Sequence, residues 1–221
     1  MAVCDTQAVV PKVKICGNTT LADAELAVSC GAWAVGVIFH PQSPRRCDLD
    51  TAAAIGAALK RRCEVVGVFV NAPLEDVVRT AEAAELTMVQ LHGEEGPAYC
   101  QEVGRRTGTR VIKAARVRDA SQVRALLAHH TDVHLLDAYV EGAHGGTGER
   151  FDWRLAAEHP GKPPLLLSGG IAADNVREAI EVVRPFGLDV ASGVEAAPGR
   201  KDPERMQALF EAVREAAPAG V

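Results

Sequence analysis

No apolar run in this chain approaches the ~20 residues that a membrane-spanning helix requires. The start, Met1-Ala2-Val3-Cys4-Asp5-Thr6-Gln7, lacks the basic region and apolar stretch of a secretory signal. A cytoplasmic location is therefore expected. Long Lys/Arg tracts are also missing, and the net charge is −5, which disfavours a nucleic-acid surface but allows a local basic pocket. Six cysteines lie at positions 4, 16, 30, 47, 63 and 100, and no pair has the CxxC spacing of a zinc or redox site. In a reducing compartment most should be free thiols, with Cys30, Cys63 and Cys100 read as small buried hydrophobes. No linker or low-complexity segment divides the chain, so 221 residues are read as one domain over residues 1–221.

Against these absences stands a regular alternation. Short apolar runs read as strands at Val13–Cys16, Ala34–Phe39, Val65–Val70, Met88–His92, Val111–Val117, Val133–Ala138, Pro164–Ser168 and Leu188–Ser192. Several are continuously apolar, as parallel strands buried on both faces must be. Helical spacing fills the intervals, at Leu21–Ser29, Leu49–Lys60, Leu74–Ala84, Ala98–Arg106, Ala120–His129, Ala173–Val183 and Pro203–Ala217, with a shorter piece around Asp152–Glu158. Start and stop signals agree: Thr19 or Thr20 before the first helix, Asp48 before the second, Asp202-Pro203 before the last, and Gly31 after the first. Eight strand–helix units in this length predict an α/β fold, a single (β/α)8 barrel. An open doubly wound sheet uses the same alternation and is the rival. Even spacing and glycine turns after strands seven and eight favour the barrel.

In such a barrel, function collects where strands end. Cys16 ends the first strand. Arg45 and Arg46 follow the second, Gln90 and His92 end the fourth, and Asp137 ends the sixth, before Gly145-Gly146-Thr147-Gly148. Gly169-Gly170 and Ser192-Gly193 follow the last two strands. Backbone amides approach a phosphate closely where no Cβ intervenes, and Gly169-Gly170 is expected to lead directly into the Ala173 helix, whose dipole would help. Asp137 reads either as a loop cap or as a general acid whose proton is retained in a closed, partly apolar pocket. Cys16 suits a base or nucleophile if positive charge or N–H donors increase its thiolate fraction. Arg45 reads as the best anion binder outside the glycine loops, suited to grip a carboxylate, and the alternative for Arg45 and Arg46 is a solvated loop pair. Lys14 lies two residues before Cys16, on the same strand face, and needs an unidentified partner.

The segments Lys14-Ile15-Cys16-Gly17-Asn18-Thr19, Gln90-Leu91-His92-Gly93-Glu94, Gly145–Trp153, Ser168-Gly169-Gly170-Ile171 and Asp189–Glu195 resemble, in order and spacing, the phosphoribosylanthranilate isomerase family of tryptophan biosynthesis. The resemblance implies a cofactor-free and metal-free Amadori rearrangement, aldose to ketose, of N-(5'-phosphoribosyl)anthranilate. It implies Cys16 as general base and Asp137 as general acid. It implies Arg45 on the anthranilate carboxylate, Gly169, Gly170, Ser192 and Gly193 on the phosphate, and the Gly146 loop closing over the site, with His92 touching substrate or orienting a loop. A small phosphorylated substrate, no nucleic acid, no membrane, and a monomer or homodimer are the expected partners. The chain departs from the family pattern at Asn18, Gln42, Arg46 and Ala191, none of which removes a proposed catalytic group. The nearest rival is the histidine-pathway isomerase, which uses a carboxylate where Cys16 stands. A rival of another kind is a catalytically dead barrel serving as a scaffold.

Overall fold

A computed structural model describes residues 10–138 and 153–216. Eight parallel strands close on themselves: β1 (Lys12–Ile15), β2 (Ala34–Ile38), β3 (Glu64–Phe69), β4 (Met88–Leu91), β5 (Arg110–Val117), β6 (Val133–Ala138), β7 (Leu165–Leu167) and β8 (Gly187–Val190). β1 pairs with both β2 and β8, which closes the ring and rules out the open sheet. Helices α1 (Leu21–Cys30), α2 (Leu49–Leu59), α3 (Leu74–Ala83), α4 (Pro97–Thr107), α5 (Ala120–Leu126), α6 (Trp153–Ala157), α7 (Val176–Val183) and α8 (Pro203–Ala216) alternate with them.

Both faces of the sheet are buried, which is why the strands read as continuous apolar runs. Alternate residues separate into two sets. Ala34, Val66, Met88, Ile112, Ala114, Val133, Leu135 and Leu166 cluster inside the ring. Their neighbours, among them Ile15, Val35, Val65, Val89, Leu136 and Leu188, belong to the layer between strands and helices. Leu135 and Leu166 are fully buried, each contributing about 1.5–3 kcal/mol of apolar transfer energy. That alternation decides which polar side chains enter the barrel.

Local signals account for the helix ends. Thr20, not Thr19, caps α1 by accepting from the Asp23 amide. Gly31 ends α1 at φ 109°, a left-handed conformation that favours glycine. Asp48 caps α2 through the Thr51 amide. α7 differs from expectation: it begins at Val176 rather than Ala173. Asn175 explains the delay, since its Oδ1 accepts from the Ala172 amide and its Nδ2 donates to the Gly170 carbonyl, turning residues 170–175 into a separate loop. After β8 comes a one-turn 3-10 helix, Ser192–Val194, then a short antiparallel ribbon, β9 (Glu195–Ala197) and β10 (Arg200–Lys201). Among the described residues no helix is long and apolar enough to cross a membrane.

Candidate active site

Cys16 sits one residue beyond β1, held in the ladder by its amide donating to the Val190 carbonyl at 2.8 Å. It shares the inward face with Lys14, which is fully buried and bonds Asp189 of β8 at 2.6 Å. Asp189 is the partner that the sequence leaves unnamed, because 175 residues separate the two. The β1–β8 register places them side by side. Opposite, on β2, stands Gly36. A Cβ there would lie 2.8 Å from Cys16 Sγ and 3.2 Å from Lys14 Nζ, so thiol and ammonium converge on space that only glycine leaves open. Burial pushes the Cys16 thiol up, Lys14 and Lys201 pull it down, Asp189 pushes it up, and the balance lies above the ordinary value. For Lys14, burial opposes the charge, but Asp189 and Cys16 outweigh it and raise its pKa.

A second charged group adjoins this one. Lys201 Nζ donates to the Cys16 carbonyl at 2.5 Å and to Glu195 Oε1 at 3.0 Å. Glu195 also receives Arg45, through Nε at 2.9 Å and Nη2 at 2.8 Å. Burial would raise the Glu195 pKa, yet the Arg45 bonds and Lys201 together hold it below the usual carboxylate range. Arg45 packs across Gly17, where an added Cβ would meet its Cδ at 2.7 Å. Arg45 is thus the arginine beside Cys16, while Arg46 is exposed. Glu195 already engages one edge of a guanidinium that the sequence alone leaves wholly free for substrate.

Across the barrel mouth lies Asp137. It continues the inward parity of Val133 and Leu135. Its Oδ2 is 3.3 Å from His92 Nε2, and His92 Nδ1 is 3.0 Å from Gln90 Nε2. Ring tautomer and amide orientation are linked here. With Gln90 donating to Nδ1, the ring proton sits on Nε2 and faces an ionised Asp137. Gln90 Oε1 is then buried without a hydrogen-bond partner. Turning the amide over gives Oε1 the Nδ1–H and leaves Nε2 to accept from a protonated Asp137. The Asp137 side chain is half-buried, 27 % exposed.

The two glycine turns meet. Gly169 and Gly170 have φ of 96° and 66°, values that side chains rarely adopt. Gly193 lies so close to the other turn that a Cβ would be 2.0 Å from the Ile171 carbonyl oxygen. Ser192 belongs to the 3-10 turn rather than to β8. The amides of both exits therefore share one corner beside β1, although Gly169-Gly170 does not feed a helix directly.

Other candidates lie elsewhere. Lys113 faces outward and is buried against Glu95 at 2.8 Å, with the Leu91 and Gly93 carbonyls completing its donors. Arg116 pairs in register with Asp137 and is exposed. Gly146 and the rest of the 145–148 loop lie outside the described residues. Cys100 is buried, whereas Cys30 and Cys63 are only half-buried; each of the five described cysteines is free. Asn18 is buried and ties the Cys16-Gly17 turn to β1 and β2, its Nδ2 donating to the Ile15 and Gly36 carbonyls. Among the described residues no group of three or more His, Cys, Asp or Glu is arranged to hold a metal ion.

Known proteins share this fold. Residues 13–212 match the family model described as N-(5'-phosphoribosyl)anthranilate (PRA) isomerase. A relative of that name from Citrifermentans bemidjiense is 51% identical over 199 residues, 90% of this chain and 95% of the relative. A solved phosphoribosyl anthranilate isomerase from Thermotoga maritima superposes with a TM-score of 0.84 at 41% identity, covering 93% of this chain and 99% of that one. Another solved isomerase, in complex with reduced 1-(o-carboxyphenylamino)-1-deoxyribulose 5-phosphate, gives a TM-score of 0.81 at 38% identity over 93% of this chain and 99% of that one. With a matching barrel, and a family model spanning nearly all of β1 to α8, the chain belongs to the N-(5'-phosphoribosyl)anthranilate isomerase family.

Proposed function

We propose that this chain converts N-(5'-phosphoribosyl)anthranilate into 1-(2-carboxyphenylamino)-1-deoxyribulose 5-phosphate, with Cys16 as general base and Asp137 as general acid. Family membership makes it an aldose–ketose isomerase of tryptophan biosynthesis. The observation that carries the residue roles is the shared parity: Cys16 and Asp137 both face inward, at the same end of the barrel, from strands on opposite sides of its mouth.

Asp137 protonates the ribose ring oxygen while the anilino nitrogen pushes the ring open. The product is an iminium, whose C2 proton is acidic. Cys16 thiolate removes it, and the resulting enolamine tautomerises to the ketone. Electrons only move within the substrate, so the chemistry itself calls for neither metal nor redox cofactor. Proton transfer from positioned groups contributes about 10²–10⁴-fold. Turning the Gln90 amide over would let His92 Nε2 accept from the acid form of Asp137.

Orientation comes from the two ends of the substrate. Amides of Gly169, Gly170 and Gly193, with the Ser192 hydroxyl, take the phosphate. Arg45 takes the anthranilate carboxylate through the part of its guanidinium not bonded to Glu195. We place the enzyme in the cytoplasm, as a monomer or homodimer working as one catalytic unit. The direct test is loss of the substrate's anthranilate-type fluorescence on adding protein without cofactor. No turnover would favour the scaffold reading. Retained activity in both Cys16→Ala and Asp137→Asn would overturn the acid–base assignment.

A further inference from the structure

Five charged side chains surround the turn that carries Cys16: Lys14 from β1, Asp189 from β8, Arg45 from the loop after β2, Glu195 from β9 and Lys201 from β10. Three are cations and two are carboxylates. The ion pairs are separate, Lys14 with Asp189 and Arg45 and Lys201 with Glu195. The surplus positive charge therefore lies with Arg45 and Lys201, which share one carboxylate, while Lys14 is matched by Asp189. A buried ammonium is costly unless its charge is matched. Lys14 has spent one donor on Asp189 Oδ1 and points at the space before Gly36, where Cys16 Sγ also lies.

We infer that Lys14 is a positioning residue for the general base: its ammonium, aimed by Asp189, stands beside Cys16 Sγ and favours the thiolate form that removes the C2 proton. The inference rests on the Cys16 role proposed above. During the step the proton passes from substrate C2 to Sγ. Lys14 keeps its three protons and Asp189 its charge throughout. Lys14 thus touches no reacting atom of the substrate and acts through the sulfur. Gly36 serves the same end, because any side chain there would separate thiol from ammonium. The two partners also have opposite effects on the sulfur. A positive neighbour favours thiolate, and a negative neighbour disfavours it.

Opposite signs make the test sharp. The probe is iodoacetamide, which reacts with thiolate to form an S–C bond and release iodide. Alkylation of the peptide containing Cys16 is followed by mass spectrometry as a function of pH, so that the other cysteines do not interfere. In Lys14→Met the midpoint should rise, and alkylation near neutral pH should slow about tenfold for every pH unit that the midpoint rises. In Asp189→Asn it should move down. The activity profile should follow in each case, with kcat changed more than KM. If Lys14→Met fails to fold, Lys14→Met with Asp189→Asn removes both buried charges at nearly constant volume, and its midpoint should still lie above that of the unaltered protein. An unmoved midpoint, or shifts of the same sign in the two single variants, would reduce Lys14 to a structural charge and overturn the inference. Loss of activity in Cys16→Ala together with unmoved profiles would leave the base assignment standing and the Lys14 role refuted.

Discussion

Two buried lysines face opposite sides of the barrel wall. Lys14 on β1 and Lys113 on β5 each bond a buried carboxylate, at 2.6 Å and 2.8 Å. Lys113 shares the outward face, and its other donors go to the Leu91 and Gly93 carbonyls. Glu95 in turn accepts from the Asn71 and Gly93 amides. Every group is used to tie the loop after β4, which starts with His92, to the barrel wall. Lys14 shares the inward face, and its ammonium borders a thiol instead of carbonyls. The same pair of residue types is scaffold on one side of the sheet and site on the other. Strand parity, more than residue type, decides which charge can do chemistry.

The strongest way to break this contrast is through the proposed acid and base. Cys16→Ala and Asp137→Asn should each lower kcat by about 10²–10⁴-fold, with circular dichroism and melting unchanged. Retained activity in both would remove the inward face from the mechanism. Lys113→Met should act in the opposite manner: it leaves Glu95 buried and unpaired, at a cost of about 3–5 kcal/mol. Urea unfolding would read that loss, and the alkylation profile of Cys16 should stay where it is. A shifted profile would mean that the two lysines are not separate.

A smaller effect should come from Arg45→Ala. Removing a charge-assisted contact worth about 1.5–3 kcal/mol predicts a KM raised by roughly tenfold to a hundredfold, with kcat less affected. Arg46→Ala should change KM little, and steady-state kinetics on both variants would reverse the assignment if Arg46 carried the loss.

The smallest effect should lie at the other end of the molecule. His159 accepts from the Gly161 amide at Nδ1, so its Nε2 hydrogen points to His134 Nδ1, 3.0 Å away, and His134 Nε2 reaches the His129 carbonyl. This chain is complete only with both rings neutral. Burial, then the neighbouring ring, lowers His159 to about 4, and burial lowers His134. The unfolded chain binds protons more readily than the folded one below an ordinary histidine value of about 6.5. The stability held above that value should therefore be lost as pH falls toward 4. Melting temperatures across this window should decline, and the decline should be shallower in His159→Gln. An equal slope in that variant would assign the acid sensitivity elsewhere.

Much of this is legible in order along the chain. Each strand appears at its expected place, with ends shifted by a residue or two, because burial on both faces demands continuous apolar runs. Capping chemistry locates α1, α2 and α8 for the same local reason. Where local signals compete, the sequence misleads. Asn175 captures the Ala172 amide and delays α7, so the Gly169-Gly170 turn is a loop platform and not a helix entrance. Lys201 carries no sequence signal at all, since β10 has only two residues and its lysine matters through what it reaches.

By itself the sequence determined the eight-unit alternation, the residues at each strand exit and the family motifs, because hydrophobic period and turn chemistry act over a few residues. Tertiary structure alone decided the pairings: Lys14 with Asp189, Arg45 with Glu195, Asp137 with His92, and Gly36 as the space between thiol and ammonium. Those depend on which strands close the ring and in what register. Electrostatic partners separated by more than a hundred residues are set by that geometry, and no local pattern encodes it.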